Sequence, residues 1–160
     1  MMNIEIIAVG SIKDAYLREG ISEYMKRLSS FANVDIIEIK EEKLPDNPSP
    51  TEIQNALIAE GKRISYKLGN ETYPIALAIE GNSCSSEEFA LMINDIATYN
   101  SGKLAFIIGG SNGLSDAVKL TAKKRISFSR ATFPHQMMRL IILEQLYRAF
   151  MILGGRRYHK

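Results

Sequence analysis

Five short apolar runs, each followed by a stretch of helical periodicity or a turn leading to one, constrain this chain more than any other feature. They are Asn3 to Val9, Val34 to Ile39, Tyr73 to Glu80, Lys103 to Ile108 and Ile126 to Ser129. The runs are rich in isoleucine, valine and alanine and do not alternate with polar residues. A strand reads this way when both of its faces are buried, and such strands interleaved with helices build a parallel sheet covered on two sides. The fold class is therefore α/β. With 160 residues, no internal repeat and no linker, the chain is expected to form one domain over residues 1–160.

The helices between the runs carry their own punctuation. Leu17, Ile21, Tyr24 and Leu28 form one apolar stripe, leaving Lys13, Arg18, Glu23, Lys26 and Arg27 on the wet face. Glu41 to Pro50 holds three of the five prolines and has to be a loop. It ends in Ser49-Pro-Thr-Glu52, and Ser85-Ser-Glu-Glu88 repeats the same Ser-x-x-Glu pattern. Each is a capping box, in which hydroxyl and carboxylate satisfy the free amides of a first helical turn. These helices extend to about Leu68 and to about Asn100, and a further one is expected from about Ser115 to Lys124. The last, His135 to Leu153, has almost no continuous polar face, yet Arg139, Glu144, Gln145 and Arg148 interrupt it too often for a membrane span. Its apolar surface exceeds what a small monomer exposes, which predicts a symmetric homodimer built partly on this helix.

Charge is distributed unevenly along the chain. From Lys123 onward nine basic residues face the single acid Glu144, a net of +8 that leaves −6 on residues 1–122. That asymmetry points to a polyanion, RNA first, near the C-terminal segment. Cys84 is the only cysteine, so no intramolecular disulfide forms, and the first residues lack a secretory leader; the expected compartment is the cytoplasm. Two histidines and one cysteine without ligand spacing argue against a metal site, and no Gly-x-Ser-x-Gly elbow supports a serine hydrolase.

Two loops are placed to do chemistry. Gly109-Gly-Ser-Asn-Gly113 follows the fourth strand, and Ser129-Arg-Ala-Thr-Phe-Pro-His135 follows the fifth. Ligands of open α/β sheets bind at the carboxyl ends of strands, where backbone amides converge. The glycine turn fits neither the dinucleotide fingerprint nor the Walker pattern. Ser129 and Thr132 could bond a ligand or cap the final helix.

In combination, Phe106-Ile-Ile-Gly-Gly-Ser-Asn-Gly113, Ser127-Phe-Ser-Arg-Ala-Thr-Phe-Pro-His135, Leu143-Glu-Gln-Leu-Tyr-Arg-Ala149 and Tyr158-His-Lys160 closely resemble the RlmH (YbeA-like) ribosomal RNA methyltransferases of the SPOUT superfamily. The resemblance spans the whole chain. It implies an α/β fold with a C-terminal trefoil knot, a homodimer, and S-adenosylmethionine as methyl donor. It also implies a substrate, the N3 nitrogen of a pseudouridine in large-subunit ribosomal RNA, reached on the assembled ribosome. Carried over by position, the cofactor pocket comprises Leu77, Gly109, Phe128, Ser129, Arg130, Ala131, Thr132 and Phe133.

Methyl transfer to a uracil-like N3 requires the loss of one proton, for which His159 and Tyr158, and behind them His135, are the candidates. Arg139, Arg148, Arg156 and Arg157 are expected to grip phosphates while the tail closes over the neighbouring subunit's cofactor. Two other classes fit the residues less fully. They are a flavodoxin-like nucleotide-binding protein using the glycine turn, and a non-catalytic ribosome-binding module.

Overall fold

The computed structural model describes residues 1–100 and 102–158. Its ten elements run β1 (Met2–Val9), α1 (Ala15–Leu28), β2 (Ala32–Ile39), α2 (Pro50–Lys67), β3 (Tyr73–Ser83), α3 (Ser86–Tyr99), β4 (Lys103–Ile108), α4 (Asp116–Thr121), β5 (Lys124–Ser127) and α5 (His135–Leu153). The five strands form one sheet in the order β2-β1-β4-β3-β5, and every neighbouring pair is parallel.

Why the apolar runs are unbroken is visible in the two cores. Along β1 and β4, Ile4, Ile6, Ala8, Leu104, Phe106 and Ile108 point to one face, and Ile7, Val9, Ala105 and Ile107 to the other. Successive side chains of a strand alternate, so a strand covered on both sides needs an apolar residue at every position. The first face is covered by α1, α3 and α5, the second by α2 and α4. This partition follows from strand order. Steps toward the β2 edge cross on the first face and steps toward the β5 edge cross on the second, so all crossovers keep one hand.

Both capping boxes form. The Ser49 hydroxyl accepts from the Glu52 amide at 3.1 Å and the Glu52 carboxylate accepts from the Ser49 amide at 3.2 Å; at Ser85 and Glu88 the two distances are 3.1 and 2.8 Å. Three sequence boundaries are corrected. The helix expected over Ser115 to Lys124 is only Asp116–Thr121, because Ser115 is its cap and the Lys123 amide is taken by the carbonyl of Pro74 at 2.8 Å. That bond starts the fifth strand early, so β5 is Lys124–Ser127 rather than Ile126 to Ser129. β3 in turn continues past Glu80 to Ser83, because after a register shift Asn82 pairs with Ile126 and Ser83 with Ser127. In this crossing the β5 backbone lies directly on Gly81, where a Cβ would meet three backbone atoms of Arg125 and Ile126 at 2.8 Å.

Candidate active site

The carboxyl ends of β3, β4 and β5 and the first turn of α5 enclose a cleft of about 600 Å³, within the range of small-molecule sites. Leu77, Ile108, Leu114, Ile126, Phe128 and Met138 make its apolar walls. Phe128 is fixed from behind by the edge of Phe89, with ring centroids 5.2 Å apart. The rim consists of the two loops, residues 109–113 and, in the second, Ser127, Ser129 and residues 131–134, together with Glu80, Lys119 and His135. Glu80 and Lys119 form an ion pair, and the ammonium holds the Glu80 carboxyl below the ordinary carboxylate range.

Each loop is shaped by its own residues. In the first, the Gly113 amide donates to the Gly110 carbonyl at 3.0 Å. The turn closes so tightly over Gly109 that a Cβ there would stand 2.3 Å from the Gly113 carbonyl oxygen. In the second, the Ser127 hydroxyl donates to the Ser129 carbonyl at 2.8 Å and the Ser129 hydroxyl accepts from the Ala131 amide at 2.9 Å. Ser129 therefore holds the loop and does not cap α5, whose N-cap is Pro134 with no side-chain cap bond.

Of the residues expected to hold the cofactor, Leu77, Gly109, Phe128, Ser129, Ala131, Thr132 and Phe133 all line the cleft, whereas Arg130 is exposed and not part of its wall. Sequence reasoning missed the Glu80–Lys119 pair and underrated His135. The His135 ring and the Glu41 carboxylate both approach Gly10, with Nε2 and Oε2 at 3.8 and 3.6 Å from the point where a Gly10 side chain would begin. Glu41 comes from the proline-rich loop, far from His135 in sequence, so no local pattern could have signalled the approach.

The basic candidates divide. Arg139 is a correction: it is 2% exposed, pairs through Nη1 with Glu38 at 2.7 Å, and donates from Nη2 to the carbonyls of Gly10 at 2.6 Å and Val9 at 3.3 Å. A buried guanidinium so engaged fastens α5 to the ends of β1 and β2 and does not reach phosphate. Arg148 pairs with Glu144 at 2.5 Å and stacks over Tyr158 at 4.9 Å. Arg156 and Arg157 are exposed, with Arg156 over the Phe31 ring at 5.2 Å.

Tyr158 lies away from the cleft of its own chain. Its hydroxyl is 3.1 Å from that of Tyr24, donates to Glu144 at 3.3 Å, and its ring meets the edge of Tyr147 at 4.9 Å. Burial first, and then the Tyr24 hydrogen bond, push its phenol well above the ordinary tyrosine range. The fold favours the neutral phenol, so its contribution to stability is complete below the unfolded tyrosine pKa of about 10. It is lost progressively as pH rises from there through the higher folded value. In an alkaline absorbance titration, Tyr158→Phe is expected to remove a late-ionising tyrosine; loss of one titrating near 10 would contradict this docking. His159 lies outside the described residues. Burial also raises the Cys84 thiol, which argues against a reactive thiolate.

Among the described residues no helix is long and apolar enough to cross a membrane. Two solved structures share the fold. A probable methyltransferase from Bordetella pertussis Tohama I aligns with a TM-score of 0.56 at 14% identity, covering 91% of this chain and 95% of that one. A probable methylase family protein from Haemophilus influenzae Rd KW20 aligns at 0.53 and 12% identity, covering 98% and 70%. Curated proteins called ribosomal RNA large subunit methyltransferase H, from Bacillus cereus and Bacillus thuringiensis, are 52% identical over 159 residues, which is 99% of this chain and all of each relative. The family described as predicted SPOUT methyltransferase matches residues 2–159. A cleft built from the loops that carry the resemblance, on a fully parallel sheet, and similarity along the whole chain lead to one assignment: this protein belongs to the SPOUT methyltransferase family.

Proposed function

We propose that the chain is an S-adenosylmethionine-dependent methyltransferase that modifies the N3 nitrogen of a pseudouridine in large-subunit ribosomal RNA. The observation that carries the reading is the cleft, which seven of the eight residues expected at the cofactor line from three strand ends. The relatives' shared name supplies the substrate class.

The donor set fits such a cofactor. Leu77, Ile108, Phe128 and Met138 offer an apolar slot for a flat purine, and the backbone of the two loops offers donors and acceptors to its polar parts. When bound, S-adenosylmethionine supplies an electrophilic methyl group. The work left to the chain is alignment, exclusion of water and removal of one proton from the acceptor. The apolar walls exclude water, and the tight Gly109 turn and the Ser129-pinned loop hold the binding surface rigid.

The site is completed by a second subunit. Tyr158 docks on its own α1 and α5 rather than in its own cleft, and α5 leaves a half-buried apolar surface ending at the exposed Leu153. Dimerisation on that surface brings one subunit's Tyr158 and His159 toward the partner's cleft, with His159 taking the proton and Arg156 and Arg157 on phosphate. The substrate is the assembled ribosome, which places the enzyme in the cytoplasm.

Calorimetric titration with S-adenosylhomocysteine is expected to show binding, and ribosomal RNA from a deletion strain is expected to lack one methyl group by mass spectrometry. Absence of both results would overturn the reading. His159→Ala is expected to lower turnover at least about 100-fold, at the low end of what a positioned acid or base contributes. Full turnover by both His159→Ala and Tyr158→Phe would remove the tail from the mechanism. A stable, active monomer at nanomolar concentration would remove the dimer.

A further inference from the structure

A second concavity, of about 360 Å³, opens on the outer edge of the sheet, where Glu38, Ile39 and Lys40 at the end of β2 meet the later turns of α2. Lys62, Arg63, Tyr66 and Lys67 belong to it. Lys62 with Tyr66 and Arg63 with Lys67 are four apart, so they share one helix face. Lys40, Lys62 and Lys67 are exposed, and among the described residues none enters an ion pair. Tyr66 is 86% exposed.

Three of the neighbouring acids are already engaged, and the fourth, Glu41, turns its carboxylate toward Gly10 and Gly110 at the strand ends. Glu38 pairs with Arg139, Glu42 with Arg63 at 2.5 Å, and Glu60 accepts the Glu42 amide at 2.9 Å. Arg63 also donates to the Lys40 carbonyl at 2.9 Å, which fixes one wall of the groove. What faces solvent is therefore a cationic surface around an unpartnered aromatic ring. The negative total of residues 1–122 concealed it, because that sum does not distinguish engaged acids from exposed cations.

We infer that this groove is a second RNA contact, holding a single-stranded segment of the substrate beside the target nucleotide. Lys40, Lys62 and Lys67 take phosphates and Tyr66 stacks a base. The inference rests on the RNA methyltransferase reading above. Cations tracking a backbone, with an aromatic platform for bases, are the combination by which proteins bind unpaired nucleic acid. An acidic protein surface would satisfy the lysines and leave Tyr66 without a role.

Position supports the same occupant. In a parallel sheet all carboxyl ends lie on one edge, so Lys40 after β2 and Gly109 after β4 open toward the same side. Only β1 separates β2 from β4, a lateral distance of about 10 Å at the usual strand spacing. One strand of RNA can reach from the cofactor cleft to Lys40, the end of the groove nearest the carboxyl edge, and run from there along α2 past Lys62, Tyr66 and Lys67. The groove also lies on the α2 face, opposite α5, so RNA there does not compete with dimerisation on α5.

The test is steady-state methylation of unmethylated ribosomes over a monovalent salt series, with S-adenosylhomocysteine titration as the control for folding and cofactor binding. Lys62→Ala/Lys67→Ala is expected to raise KM and flatten the log–log salt dependence by about 1.4, two phosphate contacts at about 0.7 each for single strands. Lys62→Arg/Lys67→Arg is expected to restore both. Tyr66→Ala is expected to raise KM about 5- to 150-fold, the range of one stacked base, without changing the slope, and Tyr66→Phe to restore it. Unchanged KM and slope in the lysine and tyrosine variants of an active enzyme overturn the groove alone. A wild-type chain that binds S-adenosylhomocysteine yet methylates no ribosome overturns the methyltransferase reading, and this inference with it.

Discussion

Gly109→Ala is expected to lower affinity for S-adenosylhomocysteine by about 100-fold or more, equivalent to about 2.7 kcal/mol of binding free energy, and to cost about 3 kcal/mol of stability, the upper end for overpacking. The added methyl would stand 2.3 Å from the Gly113 carbonyl oxygen and 2.5 Å from its carbonyl carbon. Both are backbone atoms, so no rotamer change relieves the clash. The turn must open, and it carries the cleft wall over residues 109–113 with it. Gly81→Ala meets the same kind of obstacle, three β5 backbone atoms at 2.8 Å, and is expected to loosen the cleft by displacing Ile126. Titration calorimetry and thermal melts check both; wild-type affinity in Gly109→Ala would show that the turn is not part of the cofactor site.

Arg139→Met is expected to destabilise the protein by about 3 kcal/mol, within the range for leaving buried polar groups without their partner. In a chain of this size that corresponds to a drop in Tm of roughly 6–12 °C. The Val9 and Gly10 carbonyls lose their buried donor, whereas Glu38, whose side chain is half exposed, can turn to water. Glu38→Gln should therefore cost only about 1 kcal/mol or less. Arg139→Lys should recover part of the loss, since an ammonium cannot reproduce the forked contacts. Crucially, the salt dependence of RNA binding is expected to stay at its wild-type slope in Arg139→Met. A flattened slope with an unchanged Tm would return Arg139 to the RNA surface.

Arg139 illustrates a limit of reading charge along a chain. Its position between Met138 and Leu140 in an apolar helix marked it as an interruption, and its membership of a basic segment suggested phosphate. Only folding places it against the ends of two strands that lie some 100 and 130 residues away in sequence. Lys62 and Lys67 illustrate the converse, since they belong to the acidic part of the chain and yet face solvent as cations. Tyr158 was legible as chemically notable, but its docking on Tyr24 and Glu144, which raises the pKa of its phenol, depends on two helices packing side by side.

Local order, by contrast, could be read directly. The two Ser-x-x-Glu boxes formed because capping is a bargain struck within four residues, and the unbroken apolar runs became central strands because a strand covered on both sides tolerates no polar alternate position. The β3–β5 crossing escaped because its register shift comes from the Pro74 carbonyl and the bare Gly81 backbone meeting a strand more than 40 residues away. The sequence by itself determined the parallel α/β class, the helix caps and the residue types of the cleft, since these depend on periodicity and short-range hydrogen bonding. The tertiary structure alone decided which cations are buried and which are exposed, that Glu41 and His135 both approach Gly10, and that Tyr158 stands apart from its own cleft. Charge and proton chemistry are set by burial and by partners distant in sequence, and those exist only once the chain has folded.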